Sequence, residues 1–247
     1  VKNGKLAKML YPATVVSYII SDVIYNDLNV IASGPLAMPQ YDSALNEEIE
    51  MYIKTPELKK LISEHVENIP GNEKYFSRIS YNIILKNLDF VEYIYSKIDD
   101  EKINLGSDIN GDVVQVADAI VSAIRSIYRL KNHGFWFVAG GETTVNVTGK
   151  GIGGRNEELV LRMLRLMENE EFLFASIGTD GIDGLSPAAG GIVDNMTSID
   201  GIDSYLNNND SYHALLEHNG LIITGRTGNN VSDIIMGYYS GERATIK

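Results

Sequence analysis

Between Phe135 and Gly178 the chain passes from an apolar segment, FWFVA, through a glycine-rich stretch and an amphipathic segment into a second apolar segment, FLFASIG. That order constrains the fold more than any other feature. Residues 135–139 and 172–178 have the length and apolar character of buried strands, and the spacing over 157–167 predicts a helix between them. Strands that alternate with helices in this way give an α/β fold.

The rest of the chain fits the same class. Residues 15–20 are apolar and β-branched-rich, which predicts a buried, parallel-type strand that ends in the turn-forming SDVIYNDLN. Residues 42–66 are charged with helical spacing and predict surface helices broken near Pro56 and Pro70. A strand is expected over 81–85 and helices over 89–97 and 112–130. In the last of these Val113, Val116, Ala117, Ile120, Ile124 and Ile127 form one stripe. Gly140-Gly141 is expected to turn the strand at 135–139, and 143–148 to form a second strand wet on one face. Asn156 is placed to cap the helix over 157–167, and LIITG (221–225) is expected to be the last buried strand. At 247 residues the chain nears the size at which single cores stop growing, roughly 250–300 residues. Two domains are therefore expected, 1–131 and 132–247.

Charge and composition exclude several functions. With 33 acidic against 21 basic residues the net charge is −12, which disfavours nucleic acid and anionic lipid as general partners. No apolar run is long and charge-free enough to span a bilayer, and the first residues lack a secretory h-region. There is no cysteine, hence no disulfide and no thiolate metal site. The cytoplasm is the expected compartment. His65, His133, His213 and His218 are scattered without metal-ligand spacing.

GKGIGGRNEE (149–158) matches Gly-x-Gly-x-x-Gly, the dinucleotide fingerprint, but the strand before it is half polar where the fingerprint needs a buried one. No ribose-binding acid stands in the expected place either. Arg155 beside three glycines at a helix start instead reads as an anion site, with Gly153 and Gly154 supplying amides. GTDGIDG (178–184) follows the most apolar strand, where ligands of open α/β sheets sit. Asp180 and Asp183 could there hold Mg²⁺, orient a hydroxyl or act as a base, or simply make turns. Asp22, Asn26, Asp27, Ser33 and Gly34 follow the first strand in the same way, and TGRTGNN (224–230) presents Thr227 and Gly228. That loop is no P-loop, since no Gly-Lys-Ser/Thr follows its glycines.

Taken in order, SDVIYNDLNVIASGP, GGETTVNVTGKGIGGRNEE, GTDGIDGLSPAAGGIVD, NDSY and TGRTGNNVSD resemble the glycerate 2-kinases, whose C-terminal half is the MOFRL domain. The resemblance runs nearly from end to end. It implies two α/β domains, an incomplete Rossmann-like first domain and a MOFRL second domain with a mixed sheet. It also implies transfer of the γ-phosphoryl group of ATP, with Mg²⁺, to the 2-hydroxyl of D-glycerate, giving 2-phosphoglycerate. Arg155 matches the arginine of the family's Gly-Gly-Arg-Asn motif and would clamp a carboxylate or the moving phosphoryl group. Asp180 or Asp183 would orient or deprotonate the hydroxyl and hold the metal. Asp22, Ser33, Gly34, Gly153, Gly154, Asn156, Glu157, Thr227 and Gly228 would bind substrate or phosphate. The partners implied are D-glycerate and nucleotide, with a homodimer left open.

Departures from the family pattern are Glu157 where glutamine is usual, Leu36 after Ser-Gly-Pro, and Arg226 where proline is usual. Family members also carry an N-terminal lysine motif, which Lys2, Lys5 and Lys8 do not match. The chain is accordingly expected to be an incomplete kinase, with unpaired strand edges that favour aggregation. Two further readings stay open: a fragment that binds an anion without turnover, and a nicotinamide-dependent hydroxypyruvate reductase.

Overall fold

The computed structural model describes residues 2–39, 52–65 and 73–242. Its chain forms two compact units, Val1–Ile19 with Asn26–Ile84, and Ile20–Tyr25 with the residues from Leu85 onward. The second unit takes in the segments 85–131 that the sequence reading grouped with the first domain.

The first unit contains α1 (Lys5–Leu10), most of β1 (Val15–Ser21), α2 (Pro56–His65) and most of β2 (Ile79–Lys86), with β1 and β2 paired as a two-stranded sheet. β1 lies where expected, but it is not buried. Its residues alternate, with Val16, Tyr18 and Ile20 exposed, because among the described residues its sheet has only two strands and no layer covers that face. The expected break near Pro56 is present: Tyr52 is helical, 53–55 are not, and Pro56 starts α2, a position where its missing N–H has no intrahelical partner to lose. Of the expected 42–66 helical region, residues 42–51 and 66 lie outside the described residues.

The second unit is built on one mixed seven-stranded sheet. Its strands are β3 (Lys102–Asn104), β4 (Ile109–Asp112), β5 (Phe135–Thr144), β6 (Glu170–Gly178), β7 (Gly190–Asp194), β8 (Leu221–Ile222) and β9 (Asp233–Glu242). The order is β3-β5-β9-β6-β7-β8, with β4 also on β5. β3 and β4 run parallel to β5, whereas β9 is antiparallel to both β5 and β6. One face carries α4 (Val113–Lys131) and α5 (Arg155–Leu166), whose stripes pack on Phe135, Phe137, Phe172 and Phe174. The other face carries α3 (Asn87–Lys97), with Val91 against Val138 and Ile234. Two short helices, α6 (Ile202–Asn207) and α7 (Ser211–Glu217), complete the first face. Among the described residues no helix is long and apolar enough to cross a membrane.

Three expectations for this unit change. Gly140-Gly141 is no turn, for β5 runs straight through it. A Cβ on Gly140 would lie 1.8 Å from Asn87 Oδ1, and one on Gly141 would lie 1.9 Å from the Ile109 carbonyl oxygen. The glycines thus admit close neighbours on either side, and the segment after Thr144 is not a strand. The expected last strand shrinks to the two residues of β8. The missed strand is β9, where Gly237, Ser240 and Gly241 interrupt the apolar pattern although the strand is central. A Cβ at Gly237 would lie 2.4 Å from the Phe137 ring.

Candidate functional site

The glycine-rich loop between β5 and α5 is closed by the residues ahead of α7. Thr148 and Gly149 donate their N–H groups to Asn209 Oδ1, both at 2.9 Å, and Lys150 donates to Asn208 Oδ1 at 3.1 Å. Gly151 donates to the Asn208 carbonyl at 2.8 Å and Ile152 to Asp210 Oδ1 at 2.9 Å. Five consecutive amides are therefore committed internally, so this part of the loop cannot cradle a pyrophosphate. Sterics agree. A Cβ at Gly149 would lie 2.1 Å from the Asn208 carbonyl oxygen, and one at Gly151 would lie 2.3 Å from Asp210 Cβ. These positions are glycine because another stretch of the same chain presses against them.

α5 begins at Arg155 with Gly154 as its N-cap, and Asn156 lies inside the first turn rather than capping it. The cap comes from the loop after β6. Asp183 accepts from Asn156 N at 3.1 Å and from Glu157 N at 2.7 Å, while Asn156 Nδ2 reaches the same carboxylate at 3.3 Å. Asn156 Oδ1 in turn accepts from Ser176 Oγ at 2.5 Å. Gly154 must be glycine for this contact, as a Cβ there would lie 2.3 Å from Asp183 Cγ. Burial raises the Asp183 carboxyl to about 6, against the lowering effect of the backbone bonds it accepts. Glu157 is fully buried beside Ser186, Ser211 and Asp183, and neither of its oxygens accepts a well-formed hydrogen bond. Burial pushes its carboxyl up to about 8, so at neutral pH it is a neutral acid. The extra charge that Glu157 would carry in place of glutamine is thus absent under those conditions.

Arg155 fixes the centre of the site. Its Nε and Nη2 donate to the two oxygens of Asp233 at 2.6 and 2.9 Å, and its Nη1 pairs with Glu142 Oε1 at 2.8 Å. The Arg155 side chain is 32% exposed and Asp233 only 5%, so the fork is anchored from below and open above. Burial disfavours the guanidinium charge, but Asp233, Glu142 and Asp183 outweigh that and leave its pKa above the ordinary value. Burial likewise raises Asp233, which Arg155 opposes. Asp233 is held in turn by Asn87, whose Nδ2 donates to the carbonyls of Val231 and Asp233 at 2.7 and 2.9 Å. Between them Ser232 sits at φ 69° and donates to the Asp22 carbonyl at 2.6 Å, while Asn230 reaches Asp22 Oδ2 at 3.3 Å.

Of the residues expected in the site, Arg155, Gly153, Gly154, Asn156, Glu157 and Asp183 gather at the start of α5, and Asp22 stands on the Asn230–Ser232 segment before β9. Asp180 is half-buried. Its Oδ1 accepts from Ile182 N at 3.1 Å, no described residue donates to its Oδ2, and its charge acts on Asp233. Thr227 braces that turn, donating N–H to the Asp180 carbonyl at 3.1 Å and Oγ1 to the Thr179 carbonyl at 2.6 Å, while Gly228 faces open space at φ 85°. Ser33 and Gly34 belong to the first unit. Both have left-handed backbones, and their carbonyls accept from Asn3 and Gly4. Asp233, Glu142, Asn87 and Asn208–Asp210 were not assigned roles from the sequence. The run Asn208-Asn209-Asp210 carried the signal, three consecutive side chains able to accept from backbone.

Among the described residues no group of three or more His, Cys, Asp or Glu is placed to hold a metal. Mg²⁺ is commonly held by one or two carboxylates together with substrate phosphates. Asp180 fits such a role with its uncommitted oxygen, whereas Asp183 has both oxygens on the backbone of α5. No described residue accepts from the N–H groups of Gly153, Gly154 or Arg155. These three residues line a cavity of about 410 Å³ together with Glu142, Val147, Glu158, Leu185 and Asn209. A cavity of about 320 Å³ at the other end of α5 is lined by Arg165 and Asp203, which pair with each other.

Comparison with known proteins agrees with this architecture. The model of the MOFRL family matches residues 135–233, and that of a domain of unknown function, DUF4147, matches residues 1–69. The chain is 52% identical over 241 residues to a glycerate 2-kinase of Picrophilus torridus, covering 97% of this chain and 57% of that protein. The chain is thus similar to glycerate 2-kinases over nearly the whole of its own length. It is also 36% identical to the D-glycerate 2-kinase of Thermotoga maritima, covering 96% of this chain and 59% of that one. A crystal structure of glycerate kinase from Thermotoga maritima superposes with a TM-score of 0.76 at 31% identity, over 97% of this chain and 60% of that chain. The chain thus spans less than two thirds of the length of these relatives.

Proposed function

We propose that the Arg155 site serves ATP-dependent phosphorylation of D-glycerate at its 2-hydroxyl, giving 2-phosphoglycerate and ADP. The observation that supports this most is an arginine fork anchored by Asp233 and Glu142 beside three N–H groups with no internal acceptor, in a chain similar to glycerate 2-kinases. The remaining guanidinium hydrogens and the Gly153, Gly154 and Arg155 amides would take the transferring phosphoryl group or the glycerate carboxylate. Charge that develops there would meet donors already in place. Asp180 is the carboxylate left to orient the 2-hydroxyl and to accept its proton as the hydroxyl oxygen bonds to phosphorus and the bond to ADP breaks. Mg²⁺, held at Asp180 and the phosphates, would supply neutralisation of phosphate charge. Asp183 positions α5 rather than touching substrate. Asp22 would stand at the edge of the same site, and Thr227 with Gly228 would hold the Asp180 turn. Ser33 and Gly34 stay in this reading as substrate-binding residues of the first unit. The expected division at 131/132 stays with it as a proposal about domains, as does a cytoplasmic location.

The test is incubation with Mg-ATP and D-glycerate and assignment of the product by ³¹P NMR. The expected product is 2-phosphoglycerate. Arg155→Lys should lower its rate by about 10²–10³-fold with the fold retained, since lysine cannot reproduce the fork. Oxidation of NADH with hydroxypyruvate, without phosphoryl transfer, would overturn the reading in favour of a reductase.

A further inference from the structure

The glycine-rich loop and α5 meet through one side chain. Asn209 Oδ1 accepts from both Thr148 N and Gly149 N at 2.9 Å, and Asn209 Nδ2 donates to Glu158 Oε2 at 3.0 Å. Glu158 is buried in the first turns of α5, and its other oxygen accepts from Arg162 Nε and Nη2 at 3.0 and 2.6 Å. Asn208 and Asp210 hold the neighbouring loop amides but donate nothing to α5. Asp210 Oδ1 instead also meets His213 Nδ1 at 2.6 Å. Asn209 sits at φ 51°, a left-handed backbone that asparagine tolerates better than most residues.

The chemistry at this junction is selective. The position needs two-fold acceptance on one side and donation to a carboxylate on the other, which a side-chain amide meets and a carboxylate does not. Aspartate would set a second negative charge against Glu158, and alanine would leave two loop amides and one buried carboxylate oxygen unpartnered. The loop that Asn209 fastens leads within a few residues to Gly153, Gly154 and Arg155, so a slack loop would scatter the donors of the cavity.

We infer that Asn209 is a positioning residue, fastening the glycine-rich loop to α5 so that the Gly153, Gly154 and Arg155 donors converge on one anion. The inference rests on the anion-binding reading of Arg155; Asn209 lines the same cavity, but its side-chain oxygen and amide are committed to the loop and to Glu158.

The discriminating experiment compares Asn209→Asp with the double substitution Asn209→Asp plus Glu158→Gln. In the double variant the donor and acceptor exchange places: the amide at 158 donates to the carboxylate at 209 and still accepts from Arg162. For Asn209→Asp, the affinity for D-glycerate and for inorganic phosphate should fall by about 10-fold at a temperature where the protein is fully folded. If turnover is measured, KM should rise with kcat little changed. The double variant should recover to within about 3-fold of the parent, since the lost bond is re-formed with reversed polarity. Amide exchange at Thr148 and Gly149 should quicken in Asn209→Asp and slow again in the double variant. Unchanged affinity in Asn209→Asp alongside a lower melting temperature would make Asn209 a stability residue and overturn the inference, as would a double variant that does not recover. A parent that binds neither D-glycerate nor phosphate sinks the anion reading instead. In that case exchange at Thr148 and Gly149 still decides the fastening, and no change there in either variant rejects it.

Discussion

The two long helices on one face of the sheet begin in different ways. α4 is closed by its own Asp112, which accepts from Val114 N at 2.9 Å only two residues along the chain. α5 begins on Gly154, which has no side chain to offer, and receives the buried Asp183 carboxylate from the loop after β6. A local cap stabilises its own helix and little else. A remote cap makes the start of α5 conditional on the loop 178–184, so the helix that carries Arg155 and the loop that carries Asp180 are set by one carboxylate. Functional geometry in this unit therefore depends on tertiary contacts at a place where a purely structural helix depends on its neighbour in sequence.

The comparison can be broken most directly at Asp183. Asp183→Ala leaves two backbone N–H groups and an amide of Asn156 without an acceptor in a buried place. It should cost about 3–4 kcal/mol, read as a lower denaturant midpoint, with D-glycerate affinity falling in the same variant. A melting temperature within about 2 °C of the parent would show that α5 needs no remote cap.

Glu157 sharpens the contrast through pH. Its carboxyl is raised from 4.5 to about 8 by burial, so the folded chain holds a proton that the unfolded chain releases. Stability then falls as pH rises from about 4.5 to about 8 and levels off above that. Asp183, raised from 3.8 to about 6, adds a slope of the same sign over a lower range. Glu157→Gln removes the Glu157 part. Relative to the parent it should gain on the order of 4 kcal/mol by pH 8, with no gain at pH 4. A stability difference that does not change between those pH values would place an ionised Glu157 in the folded state.

The smallest effect belongs to the local cap. Asp112→Ala should cost about 1 kcal/mol and leave D-glycerate affinity untouched. An affinity loss in that variant would mean that α4 also positions the site.

Much of this unit was legible in the sequence because its signals are local. The stripe from Val113 to Ile127 reads directly as α4, although the role of Asp112 as its cap was not read, and FLFASIG reads as the core of β6. What escaped depends on contacts distant in sequence. Gly140 and Gly141 look like a turn until Asn87 and Ile109 are seen against them. β9 is central yet carries Gly237 and Gly241, since Phe137 and Tyr128 fill the space their side chains would need. Of the site, Arg155 with Gly153 and Gly154 was readable from its helix-start context. Asp183 was readable as a carboxylate in the right loop, but its role as a cap across 27 positions was not. Asp233 lay within a quoted motif without a role, because nothing local tells a strand-opening aspartate that it will face an arginine 78 residues earlier.

The place of β9 has a consequence for synthesis. β5 and β6 never touch as a pair, for β9 lies between them and follows both in the chain. On a ribosome β5 is complete roughly 90 residues before β9 begins, a wait on the order of ten seconds at usual elongation rates. Until then two apolar strands have open hydrogen-bonding edges, and Arg155 has no Asp233 to hold its fork. The nascent chain thus acquires its core and its charged centre in the same late event.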